Sequence, residues 1–145
     1  MLQLTSEVWP QTLDAVRSCG EGRRECVVYW LGPLRDSNVV DLVVHPQHTA
    51  EPWQYQIDDR WLTALFVRLA REQRSLRAQV HTHGGAAGHS KTDNDWPVIH
   101  TAGFLSIVLP AFGMRPLDPR RTYVAQLEPG GGWSRQAIGD VVAET

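Results

Sequence analysis

Cysteine is scarce: Cys19 and Cys26 are the only two in 145 residues, with no framework spacing between them. They read as two thiols, and a reducing compartment is the expectation. The opening residues, MLQLTSEVWP, lack both a basic start and a continuous apolar core, so they do not read as a secretory signal. Long apolar runs are missing too, and none approaches the roughly 20 residues of a spanning helix. The cytoplasm is therefore the expected location, with no membrane as partner. Charge of one sign is equally lacking. A net charge of -2 offers no general field for nucleic acid or anionic lipid. The arginine pairs Arg23-Arg24 and Arg120-Arg121 read as solvated surface. No internal repeat occurs and no Pro/Gly/Ser linker divides the chain, so residues 1–145 are expected to form a single domain.

What is present is the composition of a soluble globular protein, 42% hydrophobic and 21% charged. The segment from Ser6, SEVWPQTLDAVRSCG, reads as a short helix with Leu13 and Val16 at helical spacing and Gly20 as its stop. ECVVYWLG (Glu25 to Gly32) and NVVDLVVH (Asn38 to His45) read as two strands of an antiparallel hairpin. A stronger helix is expected from about Asp58 to Gln73. Trp61, Leu62, Leu65, Phe66, Leu69 and Ala70 make its apolar stripe, and Asp58 or Asp59 caps its start. Leu76 to His83 returns to an extended pattern, and FLSIVL (Phe104 to Leu109) is the most continuous apolar strand. Tyr123 to Leu127 and a segment around Gln136 to Val142 are expected to pair across the turn EPGGGW. The fold class is thus α/β of the α+β type, a mixed sheet with helices packed on it.

The chemistry concentrates in VHTHGGAAGHSKTDND, Val80 to Asp95. On a strand, His81 and His83 project from the same face, about 6.6–6.8 Å apart along the chain. Two imidazoles at that spacing can converge on one ion, although H-x-H alone is a weak signal. Ser90-Lys91-Thr92-Asp93 has the form of a capping box opening a short helix that ends near Ile99. Held on that first turn, Asp93 can turn a carboxylate oxygen toward the histidines. Two histidines and one carboxylate leave a fourth tetrahedral position open, the arrangement of catalytic zinc. Water there becomes a nucleophile because the ion lowers its pKa from 15.7 toward about 7. A general base must come from elsewhere. Glu25, attached to the apolar run CVVYWLG, is the candidate, and Glu21 in its Gly-Glu-Gly turn is the weaker one. Gly130-Gly131-Gly132 lacks a following helix and a Lys-Ser/Thr pair, so it reads as a turn.

Glu25 before CVVYWLG, then HTH, then S-x-x-D, resembles the JAMM motif of the JAB1/MPN/Mov34 metalloprotease family. The segment DNDWPVIHTAGFLSIVLP adds a similarity to small bacterial JAB-domain proteins encoded beside ubiquitin-like modifiers and E1- and E2-like enzymes. The resemblance implies an MPN/JAB-like (cytidine-deaminase-like) fold and Zn2+ held by His81, His83 and Asp93. Glu25 would take the proton of the bound water and deliver it to the leaving amine, and Ser90 would donate to the oxyanion. The implied substrate is a ubiquitin-like modifier protein, cut after its C-terminal glycine within a bacterial conjugation (antiphage) system whose E1-like and E2-like enzymes are possible partners. A non-catalytic MPN scaffold and a processor of sulfur-carrier proteins are the alternatives. Gly84 stands where relatives commonly have proline, which implies a more mobile loop. Six residues separate His83 from Ser90, where many eukaryotic relatives have seven. Gly84 and Gly85 are candidates for the wall along a substrate's glycine tail, and Trp96 for the groove beside Asp93. His89 is expected to face solvent, and His100 to be a satisfied histidine at a helix end.

Overall fold

The computed structural model describes residues 1–90 and 98–145. Its centre is a mixed six-stranded sheet. In chain order the strands of this sheet are β2 (Val27–Pro33), β4 (Leu42–Val44), β7 (Arg74–Thr82), β8 (Leu105–Leu109), β9 (Tyr123–Leu127) and β10 (Trp133–Gln136). Across the sheet they run β10-β9-β8-β7-β2-β4. β7 is thus internal, antiparallel to β2 and parallel to β8. A smaller parallel sheet joins β1 (Leu2–Leu4) to β3 (Val39–Val40) and β11 (Val142–Glu144), and β5 (His48–Ala50) with β6 (Tyr55–Ile57) forms a separate hairpin. Among the described residues the α-helices are α1 (Val8–Gly20), α2 (Asp59–Glu72) and a one-turn α3 (Ile138–Val141).

β2 is a near-continuous apolar run because both of its faces are covered. Val28 and Trp30 enter the cluster that holds Val8, Trp9 and Val16 of α1, and Val27, Tyr29 and Leu31 enter the one that holds Leu65 and Leu69 of α2. Trp30 meets Trp9 edge-on at 4.8 Å and donates its indole N–H to Thr12 Oγ1 at 2.8 Å, which satisfies the polar end of a fully buried ring. The β2–β7 ladder slips by one residue at Arg77, since Trp30 faces Ala78 while Leu31 faces Leu76. This bulge keeps Leu76 with the α2 cluster and Ala78 and Val80 with the α1 cluster.

Several expectations are corrected here. The second strand breaks at Asp41, and only its latter half pairs antiparallel with β2; the first half serves the small sheet. The partner of β9 starts at Trp133, as soon as the left-handed run Gly130 to Gly132 ends, while residues from Ile138 turn into α3 and β11. The α2 stripe is narrower than its periodicity suggests: Leu65 and Leu69 are buried, whereas Phe66 is 38% exposed and Ala70 lies in the open. The thiol expectation fails. Gly20 ends α1, Glu21 takes a left-handed conformation, and the chain turns back so that Cys26, entering β2, meets the last turn of α1 and forms a disulfide with Cys19. Of the helix expected from Ser90 to Ile99, residues 91–97 lie outside the described residues, and Ser90, Val98 and Ile99 are not helical.

Asp58 caps α2, its carboxylate accepting the Trp61 backbone N–H at 2.8 Å. Asp58→Ala removes that acceptor and should cost about 1 kcal/mol. Urea unfolding would show it as a lower midpoint with an unchanged slope; an unmoved midpoint would mean that the cap contributes nothing.

Candidate metal centre

The C-terminal end of β7 sits between two neighbours, which fixes the backbone that carries both histidines. His81 faces Val27 on β2 and Val108 on β8, and is fully buried. His83, half-buried, lies one residue beyond the strand. Its N–H donates to the Leu109 carbonyl at 2.9 Å, and its own carbonyl accepts from Phe112 N–H at 2.8 Å. The two imidazole centroids are 5.1 Å apart. Glu25, 8% exposed, belongs to the same level of the sheet. Thr82 N–H donates to the Cys26 carbonyl, and Cys26 N–H donates to Thr82 Oγ1, both at 3.0 Å, so the ladder continues from Val27–His81 toward Glu25 and His83. Glu25's own N–H donates to the Glu51 carbonyl at 2.7 Å. Two close imidazoles at one strand end are borderline donors that zinc accepts, and the buried Glu25 carboxylate stands beside them.

Behind the histidines lies a polar row that the sequence did not disclose. Gln79, two residues before His81 on β7, reaches both Tyr55 Oη and Ser106 Oγ at 3.4 Å. Ser106 Oγ is 2.8 Å from His89 Nε2. The Tyr55 ring centroid is 5.4 Å from that of His81. A serine inside the apolar run FLSIVL, and a glutamine in phase with His81, were the available hints.

His89 does not face solvent as expected. Its ring packs 5.0 Å from those of both Tyr123 and Trp133, and stacks 6.3 Å from His81. The loop after His83 lies against the turn at Ala111 and Phe112. A Cβ on Gly84 would come within 2.6 Å of the Phe112 ring, and Ala111 N–H donates to the Gly85 carbonyl at 3.1 Å. Gly84 therefore serves close approach, while Ala111 and Phe112 take the left-handed conformations, at φ 53° and 55°, that bring the ring over it. Gly85, Ser90 and His100 are exposed.

A JAB1/MPN domain protein of Archaeoglobus fulgidus superposes with a TM-score of 0.50 at 12% identity, covering 98% of this chain and 97% of that one. A protein of Desulfitobacterium hafniense, known from its solution structure, gives 0.67 at 14% identity, covering 100% and 93%. At such identities the likeness is one of fold. No protein-family model matches the sequence. A probable metalloprotease of Sinorhizobium fredii is 31% identical over 124 residues, which span 82% of this chain and 76% of the relative. The chain belongs to the JAB1/MPN/Mov34 metalloprotease family.

Of the JAMM motif positions, the structure brings Glu25, His81 and His83 to one end of the β2–β7 pair, with Ser90 exposed on the loop that follows. Asp93 and Trp96 lie outside the described residues. No helix among the described residues is long and apolar enough to cross a membrane. A second cluster of ligating side chains, Cys19, Cys26 and His48, borders the JAMM positions, Cys26 being the neighbour of Glu25, with donor atoms all within 4.8 Å of one another. His45 packs edge-on to His48 at 5.0 Å; burial first, and then the charge of His48, hold His45 below the ordinary histidine range.

Proposed function

We propose that this protein is a zinc-dependent metallopeptidase that cleaves the peptide or isopeptide bond after the C-terminal glycine of a ubiquitin-like protein. The observation that carries the reading is the pair of imidazoles, 5.1 Å apart at the end of an internal strand, with buried Glu25 at the same level. Family membership and the JAB1/MPN fold support a metal-dependent peptidase. His81 and His83, with Asp93, would hold the ion, whose contribution when bound is to acidify water and polarise the scissile carbonyl.

The chain's own residues do the rest. The Glu25 carboxylate accepts the proton of the attacking water and passes it to the departing amine. Ser90 Oγ donates to the carbonyl oxygen as that atom gains charge, a contribution of the size of about 10²–10³ in rate. Exposed Gly85, with open space where a Cβ would stand, and Gly84 beside it present little bulk after the histidines, so a substrate's glycine tail can lie along them. The E1-like and E2-like enzymes of a bacterial conjugation system are the proposed partners. The proposed compartment is the cytoplasm, where protein disulfides are usually transient.

The test is cleavage of a ubiquitin-like protein carrying a C-terminal extension. Chelation should lower the rate by about 10²-fold or more, on the several kcal/mol that a metal supplies. One equivalent of zinc should restore it. Full activity in demonstrably metal-free protein would refute the proposal.

A further inference from the structure

Cys19, Cys26 and His48 have no part in the proposed peptidase reaction, although Cys26 adjoins Glu25, and their geometry goes beyond that of an ordinary crosslink. Cys19 Sγ is 3.4 Å from His48 Nε2. A tetrahedral zinc ion with sulfur at 2.3 Å and nitrogen at 2.0–2.1 Å requires an S···N edge of about 3.6 Å. His48 Nδ1 lies 2.8 Å from the Pro46 carbonyl oxygen. A carbonyl only accepts, so Nδ1 carries the ring proton and Nε2 presents its lone pair. That lone pair is directed at a sulfur which, in the disulfide, has no proton to donate. A ring fixed by a backbone carbonyl with its other nitrogen aimed outward is the usual preparation of a metal-binding histidine.

We propose that Cys19, Cys26 and His48 form a redox-gated site for a zinc-class divalent ion, closed as the disulfide and opened by a dithiol. A dithiol thiolate attacks Sγ of half-buried Cys19, the Cys19–Cys26 bond breaks with fully buried Cys26 as leaving group, and the second dithiol sulfur then displaces Cys19. The dithiol ends as a disulfide, oxidised by two electrons, and its two protons go to Cys19 and Cys26. Metal binding sends both protons to solvent and leaves two thiolates and one neutral imidazole on the ion, a donor set that favours zinc. The fourth position falls to water or to His45, which lines the same cavity of about 460 Å³ with Cys19, Arg24, His48 and Trp61. Arg24, ion-paired with Glu21 at 3.3 Å, lines the same cavity.

The test uses the full chain, reduced by a dithiol, freed of it by anaerobic gel filtration, and titrated with Co2+ beside the oxidised protein. The reduced form should bind one equivalent more than the oxidised form and develop intense sulfur-to-cobalt charge-transfer absorption. The β7 histidines cannot produce that band, having no sulfur ligand, so it should persist in His81→Ala and should bleach when zinc displaces cobalt. His48→Ala should weaken the band's apparent affinity at least about tenfold. Reduced wild type without the extra equivalent or the band would overturn the proposal, as would His48→Ala titrating like wild type. Neither readout depends on hydrolysis, so the peptidase proposal stands or falls separately.

Discussion

Glu25→Gln should slow cleavage by about 10²–10⁴-fold, the usual share of a positioned general acid–base, while metal content stays at the wild-type level. The amide matches the carboxylate in size, so at a position only 8% exposed it opens no void. The backbone bonds that hold this stretch, Glu25 N–H to Glu51 and Cys26 N–H to Thr82 Oγ1, do not involve the substituted atoms. What is lost is the ability to accept a proton from water and return it to an amine. Metal content by mass measurement, paired with single-turnover cleavage, separates this from damage at the histidines. Cleavage within a fewfold of wild type would remove Glu25 from the reaction.

Gly32→Ala should be the most destabilising small substitution in the chain's central sheet. A Cβ built there lies 1.8 Å from the Val39 carbonyl oxygen and 2.9 Å from its carbon. Both are backbone atoms, so no rotamer change relieves the clash. Arg77 Nε, at 3.2 Å, closes the remaining side, and its guanidinium is itself engaged by the carbonyls of Pro33 and Asp36. The chain must part β2 from β3 to admit one methyl group. Overpacking costs about 1–3 kcal/mol, and this contact belongs at or above the upper end, a large fraction of the about 5–15 kcal/mol that holds a domain folded. Urea unfolding should show a sharply lower midpoint. A shift below about 0.5 kcal/mol, the ordinary surface value, would mean that β3 does not approach β2 as described.

The legible parts of this fold are those where local pattern and tertiary environment agree. β2 and β8 are covered on both faces and read as apolar runs; α2 carries a cap residue and a stripe. β1, β5 and β6 are three residues each, too short for a period to register. The histidine pair was legible because alternation on a strand is local. The packing of His89 was not, since its neighbours Ser106, Tyr123 and Trp133 come from three distant strands. The Cys19–Cys26 pairing depends on where α1 stops and how the chain re-enters β2, and seven residues of spacing carry no rule for that. The row Tyr55, Gln79, Ser106 and His89 likewise exists only after the sheet has assembled.

The β5–β6 hairpin is closed at its base by Asp58 N–H to the Gln47 carbonyl, and its turn is tied to the body where the Glu51 carbonyl accepts from Glu25 N–H. Trp53 of the same turn is 70% exposed. Lifting this turn would therefore unfasten the backbone of Glu25 at the same moment, which couples the hairpin to the residue proposed as general base. Anything that grips exposed Trp53 from outside would have a lever on the backbone of Glu25.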